Sequence, residues 1–166
     1  MKKLFFLFII FFSITLLGCK ANNPKYIHFE KKPKLNYYTC EIGKLLLSKN
    51  DYSLELYNTN LCTSTTLNND DKKILINFIN SAKNENYISE EELEKISDEI
   101  PYELKVKFES GEIFIIKIFS PSLVSINPWD GIFSEDYIKT DTLPTKYNPY
   151  NFCTFIENRQ KNNYKD

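Results

Sequence analysis

Hydrophobic and polar positions divide the chain into three stretches with different patterns. Leu4 to Leu17 is an apolar run of 14 residues interrupted only by Ser13 and Thr15, with Lys2 and Lys3 before it and Gly18-Cys19 after it. As a helix it would reach about 21 Å, short of the ~30 Å hydrocarbon core of a bilayer, so the pattern predicts a removable export leader over residues 1–18. Lys20 to Lys34 has few apolar residues and no period. Pro24, Pro33, Asn22, Asn23 and the lysines at 20, 25, 31, 32 and 34 mark residues 19–34 as a flexible basic tether, roughly 50 Å long when fully extended. From Leu35 onward the apolar residues recur with the periods of strands and helices.

The first periodic segments read as strand, turn, strand. Leu45-Leu46-Leu47 and the turn residues Lys49-Asn50-Asp51 precede Tyr52, Leu54 and Leu56, which alternate with Ser53 and Glu55. Tyr37 to Ile42 is expected to add a further strand, and Thr59 to Thr66 is either a loop or an edge strand. A helix over about residues 69–83 follows. Ile74, Leu75, Phe78, Ile79 and Ala82 form one apolar stripe, Asn68 or Asn69 can cap it, and Asp70 and Asp71 suit its positive end. A second, shorter helix starts at Ser89, which forms a capping box with Glu92 while Ile88 and Leu93 stand at staple positions. Leu93 and Ile96 would face inward, and Pro101 ends the element.

A hairpin is the best specified element. Tyr102, Leu104, Val106 and Phe108 alternate with Glu103, Lys105, Lys107 and Glu109, and the run Glu112 to Phe119 follows Ser110-Gly111. A two-residue loop would set Leu104 opposite Lys117. A three-residue loop, Glu109-Ser110-Gly111, pairs Val106 with Phe114, Leu104 with Ile116 and Tyr102 with Ile118. It also sets Glu103 opposite Lys117 and places Gly111 at the left-handed position of a bulge. The second strand is apolar on both faces, which predicts a central place in the sheet.

Ser120-Pro121-Ser122 turns into a third strand, Leu123 to Asn127. Pro128-Trp129-Asp130-Gly131 reads as a tight turn, Gly131-Ile132-Phe133 as the start of a fourth strand, and Tyr137-Ile138 as extended chain or loop. Asn148-Pro149 starts a C-terminal helix that carries Phe152, Cys153, Phe155 and Ile156. Asn158 to Asp166 is polar and reads as a disordered tail. The order predicts an α+β fold over residues 35–157. An antiparallel sheet of about four to six strands carries the main helix on one face, with a C-terminal helix in addition. The helix, the hairpin and the ending Trp129-Asp130-Gly131-Ile132 are similar to small exported domains of unknown function, a resemblance that implies no activity.

The end of the leader carries the most specific motif. Leu16-Leu17-Gly18-Cys19 resembles the lipobox of bacterial lipoprotein precursors. The resemblance implies cleavage between Gly18 and Cys19 and a diacylglyceryl group, with fatty-acyl chains such as palmitate, on the Cys19 thiol. It further implies export and a lipid anchor in the cell membrane or outer membrane, and it implies no activity. Two or more acyl chains anchor stably where one does not, at about 0.8 kcal/mol per buried CH₂.

Composition narrows the remaining options. Loss of Lys2 and Lys3 takes the formal charge from −1 to about −3, and Arg159 is the chain's one arginine, so nucleic-acid binding is not expected. Among Cys40, Cys62 and Cys153 one disulfide is possible, and no pair has C-x-x-C spacing. The one histidine, His28, falls in the tether without a scaffold to orient it. No motif for a metal, a phosphate or a hydrolytic nucleophile is present, and no cofactor is expected. The leading expectation is a non-catalytic binding module for an envelope protein, peptide or glycan, with Trp129, Asp130 and Tyr137 as its contact surface. Two alternatives stand beside it. One is a glycan-acting enzyme using Asp130, Glu135 and Asp136 as paired carboxyls; the other is a purely structural envelope component.

Overall fold

The computed structural model describes residues 32–48, 51–93, 99–129 and 134–163. Seven strands and three α-helices succeed one another in these stretches. The elements are α1 (Tyr37–Leu47), β1 (Tyr52–Asn58), β2 (Thr63–Thr66), α2 (Lys73–Ser81), β3 (Tyr87–Ile88), β4 (Tyr102–Phe108), β5 (Ile113–Ser120), β6 (Leu123–Pro128), β7 (Asp136–Lys139) and α3 (Pro149–Asn163). The strands form one sheet in the order β2-β1-β4-β5-β6-β7-β3, every pair antiparallel. The class is α+β as expected, and the strand number is seven rather than four to six. The edge strand β2 falls in the stretch read as a loop or an edge strand, and the two-residue β3 is too short to leave a period in the sequence.

The hairpin register is the expected one. Val106 lies opposite Phe114, Leu104 opposite Ile116, Tyr102 opposite Ile118 and Glu103 opposite Lys117. Gly111 has φ +102°, and the Phe108 N–H donates to the Glu112 carbonyl at 2.9 Å, closing the three-residue loop. β5, apolar on both faces, is the middle strand.

The first segment differs from expectation. Tyr37 to Leu47 is one helix, where two strand segments were expected at 37–42 and 45–47. Tyr38, Thr39 and Ile42 are its buried residues, spaced i, i+1 and i+4. Against the finished sheet that stripe buries more than an alternating strand would. The main helix is shorter than 69–83. The chain turns at 69–72 and is α-helical from Lys73, with Asn68 Oδ1 accepting the Asp70 and Asp71 N–H groups, both at 2.9 Å. Ser89 and Glu92 form the expected capping box, on a 3₁₀ turn over Glu90–Glu92; Ile96 lies outside the described residues. Asn148 Oδ1 accepts the Tyr150 N–H at 2.9 Å at the start of α3. That helix runs on to Asn163, through most of the expected tail.

All three helices lie on one face of the sheet. α1 crosses β6 and β7, α3 packs on β5, and α2 sits between α1 and α3. One apolar cluster joins Ile42, Leu75, Phe78, Cys153 and Ile156 of the helices to Leu54, Leu104, Val106, Ile116, Ile118, Val124, Ile126 and Ile138 of the strands. Arg159 grips Asp71 with two hydrogen bonds, 3.0 and 2.7 Å, tying α3 to the turn before α2. Lys32, placed in the tether by its sequence, is already docked: Nζ contacts Asp136 Oδ1 at 3.2 Å and the Glu135 carbonyl.

Candidate functional site

Strand alternation gives the sheet a second face, away from the helices. Two neighbouring rows of its side chains surround the centre of this face. Thr66, Glu55, Lys105, Ile115 and Asn127 form one row, and Ser64, Tyr57, Glu103, Lys117, Ser125 and Tyr137 form the other. Each member is set by the pairing of its strand, because residues directly opposite in a ladder share a face. The two rows put acid beside base repeatedly, Glu55 by Lys105 and Glu103 by Lys117.

Trp129 completes this face. Its N–H donates to the Ile113 carbonyl at 2.8 Å, so the β5–β6 pairing continues one residue past the strand. The period of two then places its indole on the side of Ser125 and Asn127. The indole is 66% exposed, and Lys105 Nζ stands 6.0 Å from its centroid. Trp129, Tyr57, Glu55, Ser64, Glu103, Lys105 and Ile115 surround a recess of about 230 Å³. Ser64 Oγ donates to Glu55 Oε1. The Tyr57 hydroxyl is pushed above its ordinary pKa, first by its hydrogen bond with the Cys62 thiol, and so keeps its proton.

Further along, Lys117 pairs with Glu135. Among the described residues, Ser125 Oγ, Asn127 Oδ1 and Glu135 Oε2 are buried without a hydrogen-bond partner. This face therefore keeps polar capacity that its own side chains do not use.

The expected site residues separate. Trp129 is on the surface and part of the recess. Tyr137 is 8% exposed, and burial pushes its hydroxyl up to about 12, so it offers no contact surface and the expectation for it is corrected. Asp130 lies outside the described residues, as do Gly18, Cys19, His28 and the strand start at 131–133. Glu135 and Asp136 point to opposite faces. Glu135 meets Lys117 on the open side. Asp136, fully buried on the helix side, accepts the Thr39 N–H at 2.7 Å, the Thr39 hydroxyl at 2.9 Å and Lys32 at 3.2 Å. These two carboxyls cannot close on one substrate as an acid pair.

Glu55, Tyr57, Ser64, Glu103, Lys105 and Ile115 were missed as site residues. The hairpin register placed Glu103, Lys105 and Ile115 on one face. Their meeting with Tyr57 and Trp129 depends on the pairing of β1 with β4, which no local pattern sets. Cys40, Cys62 and Cys153 are free thiols. Among the described residues, no group of three His, Cys, Asp or Glu could hold a metal, and no helix is long and apolar enough to cross a membrane.

The domain of unknown function DUF4883 matches residues 32–153. The chain belongs to that family. The DUF4883 match begins at Lys32, the residue docked on Asp136, and takes in every element up to the first turn of α3. The chain is also similar to a solved structure, "Putative Lipoprotein from Clostridium perfringens". The identity is 26% and the TM-score 0.68, over 77% of this chain and 99% of that one. No curated protein matches the chain.

Proposed function

We propose that this chain is a lipid-anchored envelope protein whose DUF4883 domain binds a partner on the open face of its sheet and catalyses nothing. The observation that carries the binding reading is the recess, where an exposed tryptophan stands among side chains held by a rigid sheet. Sites on strands hold their geometry better than sites on loops, and indole offers a large contact area at low entropic cost. The anchor reading is supported by the basic start, the short apolar run and Leu16-Leu17-Gly18-Cys19, together with the name borne by the similar structure. In this reading Gly18-Cys19 is the cleaved bond and Cys19 carries the diacylglyceryl group.

Two measurements test the two halves. Cys19→Ser should move the protein from the membrane pellet to the soluble fraction after a salt wash; a variant that still pellets defeats the anchor. Acrylamide quenching reads the binding half directly, because Trp129 is the chain's one tryptophan. An envelope extract should shield it in the full-length protein, and unchanged quenching would refute the binding surface.

A further inference from the structure

We infer that the recess takes a neutral oligosaccharide, one sugar ring stacking on the Trp129 indole while its hydroxyls bridge the carboxylates and amine around it. This rests on the binding reading above and specifies its ligand. Three features of the recess select this chemistry over a peptide.

The backbone of the floor is already used. β1, β4 and β5 each pair on both sides, so their N–H and C=O groups are consumed by the ladders and no strand can be added here. Recognition must come from side chains. Those side chains are also nearly balanced in charge: Glu55 faces Lys105 across the ladder, Glu103 faces Lys117, and Lys117 pairs with Glu135. A strongly charged ligand would meet a like charge beside each opposite one. A polyol meets no such repulsion, because it can donate to the Glu55 and Glu103 carboxylates and to the Tyr57 and Ser64 oxygens, and accept from the Lys105 ammonium.

The third feature is the pairing of a flat apolar wall with those polar groups. A pyranose ring has C–H faces and a polar edge, and the recess offers indole for the first and the charged row for the second. Its volume of about 230 Å³ is below the ~300 Å³ at which drug-sized pockets begin. That is room for about one ring, with the rest of an extended glycan lying along the open face.

The test uses the full-length protein in detergent micelles and two defined neutral probes, chitotetraose and cellotetraose. At least one should give a saturable blue shift of Trp129 emission and protect it from acrylamide. Tyr57→Ala and Glu103→Gln, checked for an unchanged far-ultraviolet spectrum, should each weaken that titration by about tenfold or more. An envelope extract is run in parallel after either protease digestion or periodate oxidation of vicinal diols. Protection that survives protease and is lost to periodate supports the saccharide. Protection lost to protease and kept after periodate overturns the saccharide and leaves the binding reading standing, with a protein as partner. Unchanged quenching with both the probes and the extract overturns both. A probe that binds with wild-type strength to Tyr57→Ala and Glu103→Gln overturns the assignment of this recess.

Discussion

The two faces of the sheet are made by the same strands and do opposite things. The helix face of β4 carries Tyr102, Leu104, Val106 and Phe108, all buried; the open face of the same strand carries Glu103, Lys105 and Lys107. On the helix side the side chains join one apolar cluster that α1, α2 and α3 cover. On the open side they make a charge-paired surface with a recess and an exposed indole. The difference teaches where stability and recognition reside. Burial of apolar area, at about 25 cal/mol per Å², holds the fold from one side. On the other side, Glu103, Lys105 and Lys107 of β4 are less buried and are free to carry a composition suited to a ligand.

The faces should separate sharply under mutation. Ile116, fully buried at the centre of the helix face, should cost about 2–5 kcal/mol as Ile116→Ala, seen as a lower urea midpoint with an unchanged slope. Lys105→Ala, one residue from the helix face yet aimed the other way, should lie within about 0.5 kcal/mol of wild type. If the two variants destabilised equally, the division of labour between faces would be wrong.

Asp136 is a buried carboxyl on the apolar side, and it gives the next largest effect. Asp136→Ala leaves the Thr39 N–H and hydroxyl and Lys32 without their shared acceptor, an expected cost of about 3 kcal/mol in denaturant unfolding. Its titration sharpens the comparison. Burial raises the Asp136 carboxyl above its ordinary value, opposed by the bonds from Thr39 and the Lys32 charge. The native state therefore holds more protons than the unfolded chain in the window between the ordinary value and the raised one. This group's contribution is full below that window and is lost as pH rises through the raised value. Glu157, bonded to Lys161 and to Tyr102, is shifted the other way, so its contribution is lost as pH falls. Urea midpoints of wild type minus Asp136→Asn, taken between about pH 4 and pH 7, should decline with pH. A rising difference would contradict the assignment.

The hairpin turn joins β4 to β5 and gives a smaller effect. Gly111 is at φ +102° in open space. Gly111→Ala should therefore cost about 1–2 kcal/mol through backbone strain alone, with the amide spectrum of the sheet face preserved. A neutral substitution there would mean the turn relaxes.

The fold was legible in the sequence where a short span contained all the information. The 102–119 hairpin could be registered by testing which loop length brought apolar residues together, because both partners lie within 18 residues and a one-residue slip would invert the faces. The Asn68, Ser89 and Asn148 caps were legible for the same reason, each being a contact among residues two or three apart. Tyr37 to Leu47 was not legible. Its aromatic, β-branched and glycine residues weaken the helical signal, and Leu45-Leu46-Leu47 reads as well in a strand. Only the presence of β6 and β7 beneath it makes the helix the better way to bury Tyr38 and Ile42.

By itself, then, the sequence determined the hairpin with its register, the principal helix and the α+β class. These follow from periods and caps that act over a few residues. The tertiary structure decided the seven-strand order, the helical form of residues 37–47, the opposite aims of Glu135 and Asp136, and the company Trp129 keeps. Each of those depends on which distant strands pair, and the face a residue occupies is set by its partner strand as much as by its own position in the chain.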